Sequence, residues 1–581
     1  MRIRTTQTKN GRLFYVIKTY YDTNRKEHSV TVEKLGNEND IRAKYNCDPD
    51  QWAKEYVAKL NEEEKKALEP VQVTFSKKSL ISKNHRYSFN VGYLFLQCLY
   101  YQLGLNNICK DISNRHDFDF DLNDVLSRLI YGRILSPSSK MATHRFSKKL
   151  LEQPKFDEHH MYRALDILAE ESDFIQEKLF SNSFVMGKRQ CGIIYYDCTN
   201  FFFEIEEVDE NGARQFGKSK ENRPLPIVEM GMFIDSDGIP LAMCIHPGNT
   251  NEQVTLKPLE QQLISDYHMS KFVVCTDAGL ASKANRKFND LQDRAFVVTQ
   301  SIKKLKTDIK EWALDTKGWR KHGLPSKKTI DISKIDEEKE YDTVFYKEQW
   351  IDQGSFEEKI VVTYSIKYRE YQRKIRNTQI ERAIKSIETG NVKRKGKNPN
   401  DYNRFIEKIS VTDNGEIADK QSFNIDTNRI AEEERYDGFY AVVSNLDDDP
   451  YEIIKVNKMR WKIEECFRIM KSDLKARPVY VQKDNRIKAH FIICFIALVI
   501  YRYLEKKVNY QYTCDQLIET LQEMNMREIV GDGYIPAYTR TEITDTLHDV
   551  FKFRTDYQVI SPSDMKKILK ETKRGIRHAK K

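Results

Sequence analysis

The sequence predicts an α/β core split by a mostly β insertion, with a β-meander and a helical region ahead of it. Three observations carry that prediction. Two apolar runs, Gly192–Tyr196 and Lys271–Thr276, read as buried strands, and each closes on an aspartate, Asp197 and Asp277. From Tyr87 to about Phe184 the apolar residues recur at helical spacing. Between about Ile302 and Asp437 the chain is dense in charge, and strand character resumes only at Gly438–Asn445.

A chain of 581 residues exceeds one core, and at roughly 100–200 residues per domain it calls for three or four units. The formal charge of +9 is a small excess of 96 basic over 87 acidic residues. That balance is compatible with a polyanionic partner without demanding one, so position must carry the argument. The ten cysteines form no CxxC pair and no Cys/His cluster, which argues against a zinc site or a disulfide framework. A reducing cytoplasm is the expected compartment. MRIRTTQTKNGRLFYV has no apolar signal core, and the longest apolar run, Phe491–Tyr501, stops at Arg502. That run is shorter than the ~20 residues a bilayer span needs, so no membrane partner is expected.

Residues 1–45 read as a β-meander with strands at Arg2–Thr6, Leu13–Tyr20 and His28–Lys34. Asn10-Gly11 and Asp22–Asn24 supply the turns. The interleaved lysines and arginines suit either a guarded sheet edge or a DNA backbone, and both readings stand. Residues 46–184 read as a helical region. It starts with an amphipathic helix over Asp50–Leu68 and includes Val91–Leu103, Leu122–Leu135 and His159–Ala169. Ser136–Ser139 separates two of these helices, with the basic ThrHisArgPheSerLysLys beyond, a pattern that a DNA-binding helix-turn-helix would share.

Around Asp197 the pattern predicts a hairpin: the first strand ends at the aspartate, CysThrAsn turns the chain, and Phe201–Glu207 returns with Glu204, Glu206 and Glu207. A charge at the edge of a core strand needs a partner or a cation. A basic loop, Asn211–Pro226, leads to strands at Ile227–Ile234 and Ile239–Ile245, with Asp235 and Asp237 as turn residues between them. Thr250 with Gln253 forms the capping box expected for a helix through Leu263. Asp277 lies just past a strand end, where open α/β sheets place their chemistry. Phe296–Ser301 adds a strand before the insertion, whose cationic run is Asn391–Lys397.

The third acid lies in Lys458–Leu474, where Ile463, Phe467, Met470 and Leu474 form a helical core stripe. Arg460, Glu464 and Lys471 share the adjacent face, and Glu465 lies about 100° further round. By itself such an i,i+4 Arg–Glu pair reads as a surface ion pair.

Together these blocks resemble the DDE transposases of bacterial insertion sequences, in the group with a β-rich insertion and a Y-(2)-R-(3)-E-(6)-K motif. Arg460, Glu464 and Lys471 match R, E and K, and Asn457 stands at the Tyr position. YYDCTNFFFE, CTDAGLAS, GKSKENRP and PGNTNEQ are similar to further family blocks. The resemblance implies an RNase H-like catalytic core at 185–301 and 438–507, a β-rich insertion domain at 302–437, and a C-terminal region, 508–581, with a basic tail. It also implies that Asp197, Asp277 and Glu464 are catalytic and hold two Mg²⁺ or Mn²⁺ ions. Hard oxygen ligands suit these ions, and a pair of them can promote in-line attack on a phosphodiester. Arg460 and Lys471 would hold DNA phosphates, and Lys573, Arg574 and Arg577 would grip DNA without reading its sequence. One of Trp312, Trp319 and Trp350 is expected to stack on a base near the cut. The implied protein is a bacterial, cytoplasmic enzyme that binds terminal inverted repeats on double-stranded DNA, cuts and rejoins strands, and works as a homodimer on paired ends. The alternatives are a related nuclease without strand transfer and a DNA-binding protein that has lost catalysis.

Overall fold

The computed structural model describes residues 1–9, 11–21, 26–67, 70, 72–210, 212–291, 293–325, 328–392, 401–411 and 417–575. It divides into two compact units: Met1–His85 with Ile529–Gly533, and the remainder. In the first unit, strands β1 (Arg2–Thr8), β2 (Gly11–Tyr21) and β3 (Glu27–Asn37) form an antiparallel meander, followed by helices α1 (Glu38–Tyr45) and α2 (Pro49–Ala67). Phe14, Ile41 and Ala53 form its small core. Arg12 ties strand to helices, 3.1 Å from Glu38 and 2.7 Å from Asp50. The meander and the first long helix are where the sequence predicts them. The turns expected at Asn10 and Asp22–Asn24 lie outside the described residues. The compact unit runs on to residue 85 and so takes in α2, which the sequence reading assigned to the following region.

The second unit opens with β4 (Ser88–Asn90), paired antiparallel with Asn525–Arg527. Six helices follow: α3 (Tyr93–Gln102), α4 (Leu105–Ser113), α5 (Leu122–Leu135), α6 (Lys140–Ser147), α7 (Glu158–Glu170) and α8 (Ser172–Ser183). Gly132 lets α6 lie against α5, because a Cβ there would sit 2.5 Å from the Thr143 methyl.

The main sheet is nine-stranded. The chain enters it through β5 (Ile193–Phe202), β6 (Ile227–Asp235) and β7 (Pro240–Pro247), an antiparallel meander. After α9 (Glu252–Ser265), β8 (Phe272–Thr276) pairs parallel with β5; after α10 (Lys283–Asn289), β9 (Arg294–Gln300) pairs parallel with β8. Two expectations are corrected here. β5 is one continuous strand, not a hairpin: Asp197 faces Met232 in mid-ladder, and Phe201, Phe202 and Phe203 stay in the core, so nothing turns the chain at CysThrAsn. The cap of α9 is Asn251, whose side chain accepts the Gln253 N–H at 3.1 Å, rather than Thr250. Asp235 is the predicted turn residue, but it is fully buried: it accepts the N–H groups of Asp237 and Ile239 and pairs with Arg189 at 2.6 Å.

The insertion holds α11 (Thr307–Leu314), β10 (Arg320–Lys321), β11 (Phe345–Asp352), β12 (Glu357–Tyr364), α12 (Ile366–Glu388), a ribbon of β13 (Ile406–Val411) and β14 (Ile417–Ile425), and α13 (Thr427–Glu434). It is mixed α/β rather than mostly β, with the 23-residue α12 its longest element. Its strands β10, β11 and β12 join the main sheet, while β13 and β14 form a two-stranded sheet of their own. β15 (Phe439–Ser444) lies between β9 and β12, so the full order is β10-β11-β12-β15-β9-β8-β5-β6-β7. The cationic run predicted at Asn391–Lys397 falls mostly outside the described residues.

The short helix α14 (Pro450–Lys458) precedes α15 (Trp461–Arg468), which runs on through a π-helical turn at Ile469–Asp473 and carries the expected core stripe, with Ile463, Phe467, Met470 and Leu474 buried. α16 (Asp484–Lys507) is long and apolar enough to cross a membrane by length and composition, yet 94% of its apolar window is buried, packed along α7, α5 and α3. The chain continues through α17 (Cys514–Glu523), α18 (Glu542–Phe551) and α19 (Pro562–Thr572). α19 docks on α3, where Gln97 donates to Thr572 at 3.0 Å.

Candidate active site

The parallel ladder between β5 and β8 ends at Tyr195 opposite Cys275. Two residues further along each strand come Asp197 and Asp277. β8 stops at Thr276, whereas β5 runs on with only β6 beside it, so the sheet opens at the two acids. Asp277 leaves its strand with a side chain 48% exposed. Asp197 is more enclosed, and burial pushes its carboxyl up to about 6, against the opposing pull of Lys220, of the Cys198 N–H it accepts at 2.8 Å, and of Arg460.

Arg460, at the N-cap of α15, brings the third acid in. Its guanidinium lies 3.2 Å from Asp277 and 3.8 Å from Glu464, whose side chain is 65% exposed. The fork is held from behind: it donates to Thr299 at 3.3 Å, Thr299 bonds Tyr440 at 2.7 Å, and Asn457 donates to Tyr440 at 2.8 Å. A tyrosine hydroxyl therefore reaches this network from β15, although the motif's own Tyr position is Asn457. Glu465 points elsewhere, to Arg502 at 3.1 Å, as the helical geometry predicts. Lys471, on the π-turn, is 13% exposed, 3.7 Å from Glu221, and lies over the Phe201 ring. Burial and neighbouring Lys220 bring its ammonium down to about 8.

Sequence reasoning noticed two blocks here without giving them a role. Asn200 accepts the Lys220 N–H at 3.1 Å and donates to the Lys218 carbonyl at 3.0 Å, which pins the basic loop over the open half of β5. Lys220 thereby contacts the Cys198 carbonyl and pairs with Glu252 at 2.9 Å. GKSKENRP and PGNTNEQ thus meet beside Asp197, a juxtaposition that only the long-range strand pairing creates. Close by, burial pushes Glu229 up to about 7.

The donor chemistry suits a hard divalent cation, three carboxylates with one guanidinium lying between two of them, but their oxygens do not all lie within 4.8 Å of one another, so bound ions would have to draw them together. Desolvation also stores a measurable cost. A folded-state carboxyl raised to about 6 from an ordinary 3.8 binds protons that the unfolded chain has released. The penalty is therefore complete above about pH 6 and fades as pH falls toward 4. Asp197→Asn is expected to stabilise the metal-free protein at pH 7 by about 2–3 kcal/mol and to flatten this pH dependence. Urea unfolding at pH 7 and pH 5 checks it; equal stabilities at pH 7 would refute it.

Residues 203–500, more than half of the chain, match the family described as the transposase DDE domain. The chain belongs to that family. It is a DNA transposase, an enzyme of metal-dependent phosphoryl transfer on DNA. The match takes in Asp277 and Glu464 and begins just after Asp197. No curated protein sequence matches the chain. One solved structure, a cryo-EM structure of the piggyBac transposase synaptic complex with hairpin DNA, aligns with 74% of this chain and 78% of that one, at 9% identity and a TM-score of 0.35.

Of the transposase's expected DNA contacts outside the centre, Lys573 pairs with Glu152 and Arg574 with Glu571 at 3.1 Å. Both follow a docked helix, so the start of the basic tail belongs to the fold; Arg577 lies outside the described residues. Among the tryptophans, Trp319 is fully buried and donates to the Asp315 carbonyl at 2.8 Å, which removes it as a base-stacking candidate. Trp312 packs against the same core. Trp350 is 46% exposed.

Proposed function

We propose that this transposase binds the terminal inverted repeats of an insertion sequence and cuts and joins DNA at a centre made by Asp197, Asp277 and Glu464 on an RNase H-like core. The observation that carries the reading is their convergence: Asp197 and Asp277 lie two residues past the last β5–β8 pair, and Arg460 spans Asp277 and Glu464. The β5–β7 meander with β8 and β9 parallel to β5 supports the RNase H-like assignment.

The three carboxylates would hold two Mg²⁺ or Mn²⁺ ions, which supply charge neutralisation on the transferring phosphoryl group. Arg460 presents a planar fork to a DNA phosphate, and Lys220 and Lys471 add positive charge along the strand's path. Joining two ends of one element requires both to be held at once, so a homodimer on paired ends is the smallest sensible assembly. All ten cysteines are free, which supports a reducing bacterial cytoplasm as its setting.

The test is incubation with Mg²⁺ and DNA carrying the element's own ends. Cut and joined products are expected, and both should vanish with EDTA. Cutting without joined product would leave a nuclease, and no cutting would overturn the proposed centre. Trp350 is the base-stacking candidate that burial leaves available. Because stacking is worth roughly 1–3 kcal/mol, Trp350→Ala is expected to slow a cleavage step about tenfold or more in a folded protein. Unchanged rates at every step would end that role.

A further inference from the structure

We propose that the cleft between the α5–α6 turn and the segment following the π-turn is a binding site for a backbone phosphate of the bound DNA strand. The inference rests on the DNA substrate argued above. The cleft has a volume of about 510 Å³ and is lined by Arg133, Lys140, Lys475 and Arg477, with no carboxylate among its lining residues.

Two of these cations are buried in a way the protein alone does not compensate. Lys140 is 5% exposed and lines the cleft; no hydrogen bond or ion pair holds its ammonium among the described residues, and that atom is not itself fully shut off from solvent. Arg133, also 5% exposed, donates only to the carbonyls of Leu474, Lys475 and Ser138, at 3.3–3.4 Å, and its Nε has no partner. Burying basic groups without a counter-charge disfavours their charged forms, and an arriving anion would relieve that cost. The nearby His490 adds no charge of its own: burial beside Arg133 and Lys140 holds it well below its ordinary value. Burial likewise brings the Lys140 ammonium down to about 7, and a bound phosphate would restore its proton affinity. Lys140 is also the first residue of α6, and Ser138 and Ser139 bring the helix N-terminus to the cleft, a further preference for negative charge.

The occupant is a DNA strand rather than free phosphate because a chain of paired side chains leads from the cleft to the loop beside the active centre. Arg477 pairs with Glu221, the residue that also faces Lys471 at 3.7 Å and that follows Lys220 in the loop over Asp197. A strand leaving the centre past Lys471 meets Arg477 and then the cleft. Tyr480 lines the same cleft with 67% of its surface exposed, a flat face for a sugar or an unpaired base.

The experiment compares wild type, Lys140→Met and Lys475→Gln in binding a fluorescent duplex that carries the element's end, across a salt series. Each variant is expected to lose affinity by about tenfold and to reduce the slope of log K against log salt by about one. If Lys140→Met fails to fold, Lys475→Gln and Arg477→Gln carry the same reading from exposed or half-buried positions. Unchanged affinity and slope in the folded variants would overturn the proposal. A parallel thermal-melting arm with inorganic phosphate separates the sources: protection of wild type alone, with DNA binding unaltered, would assign the cleft to a free anion and overturn the DNA assignment. Metal-dependent cleavage by wild type is scored on the same duplex. Its absence would overturn the catalytic centre and leave the salt-slope comparison to decide the cleft.

Discussion

Asp197→Ala, Asp277→Ala and Glu464→Ala are each expected to reduce metal-dependent DNA cleavage on the order of 10³-fold or more, with binding to DNA ends largely kept. Groups that act as a unit lose nearly the whole effect when any one is removed, so the three single variants should be about equally inactive. The controls come from the geometry. Glu465 is adjacent in sequence but engaged with Arg502, so Glu465→Gln should keep cleaving. A single-turnover assay with Mg²⁺ reads these four and Glu464→Gln beside them. Appreciable cutting by any alanine variant, or a Glu465→Gln protein as inactive as Glu464→Gln, would mean that the wrong carboxylate has been assigned.

The second large effect is on stability. Arg189 and Asp235 are 2% and 0% exposed and lie 2.6 Å apart. Arg189 also donates to Ser183 and to the carbonyls of Ile239 and Pro240, which ties α8 to the β6–β7 turn. Asp235→Ala would leave the guanidinium buried without its counter-charge, at an expected cost of about 3–5 kcal/mol. Replacing both partners by apolar residues of similar volume should cost much less, because no charge is then stranded. Urea titrations of the single and double variants check this. A single-variant loss no larger than the double's would show that the pair does not act as a coupled unit.

The sequence by itself determined most of what local patterning can carry. Alternation and turn residues gave the N-terminal meander, helical spacing gave the region from Tyr87 to Phe184, and apolar runs located the strands that bear Asp197 and Asp277. The i,i+4 relation of Arg460 and Glu464 survives in the structure at 3.8 Å, and the 100° offset of Glu465 turns it toward Arg502 instead. Wherever a choice depended on a distant partner, only the tertiary structure decided. CysThrAsn reads as a turn, but β6 supplies a continuous ladder and the core takes Phe201–Phe203, so the strand runs straight through. The helix that carries Glu464 starts only at Trp461, and Arg460 at its N-cap can reach both Asp277 and Thr299. Trp319 and Trp350 are the same residue type in the same insertion, yet one is core and the other surface, because burial is a property of the packed sheet and not of the residue. The pairing of Lys220 with Glu252, and the cationic cleft around Lys140, join segments far apart in sequence. Spacing along a chain specifies which residues share a face; it does not specify which faces meet, and that requires the nine-stranded sheet and the α16 core to close around them.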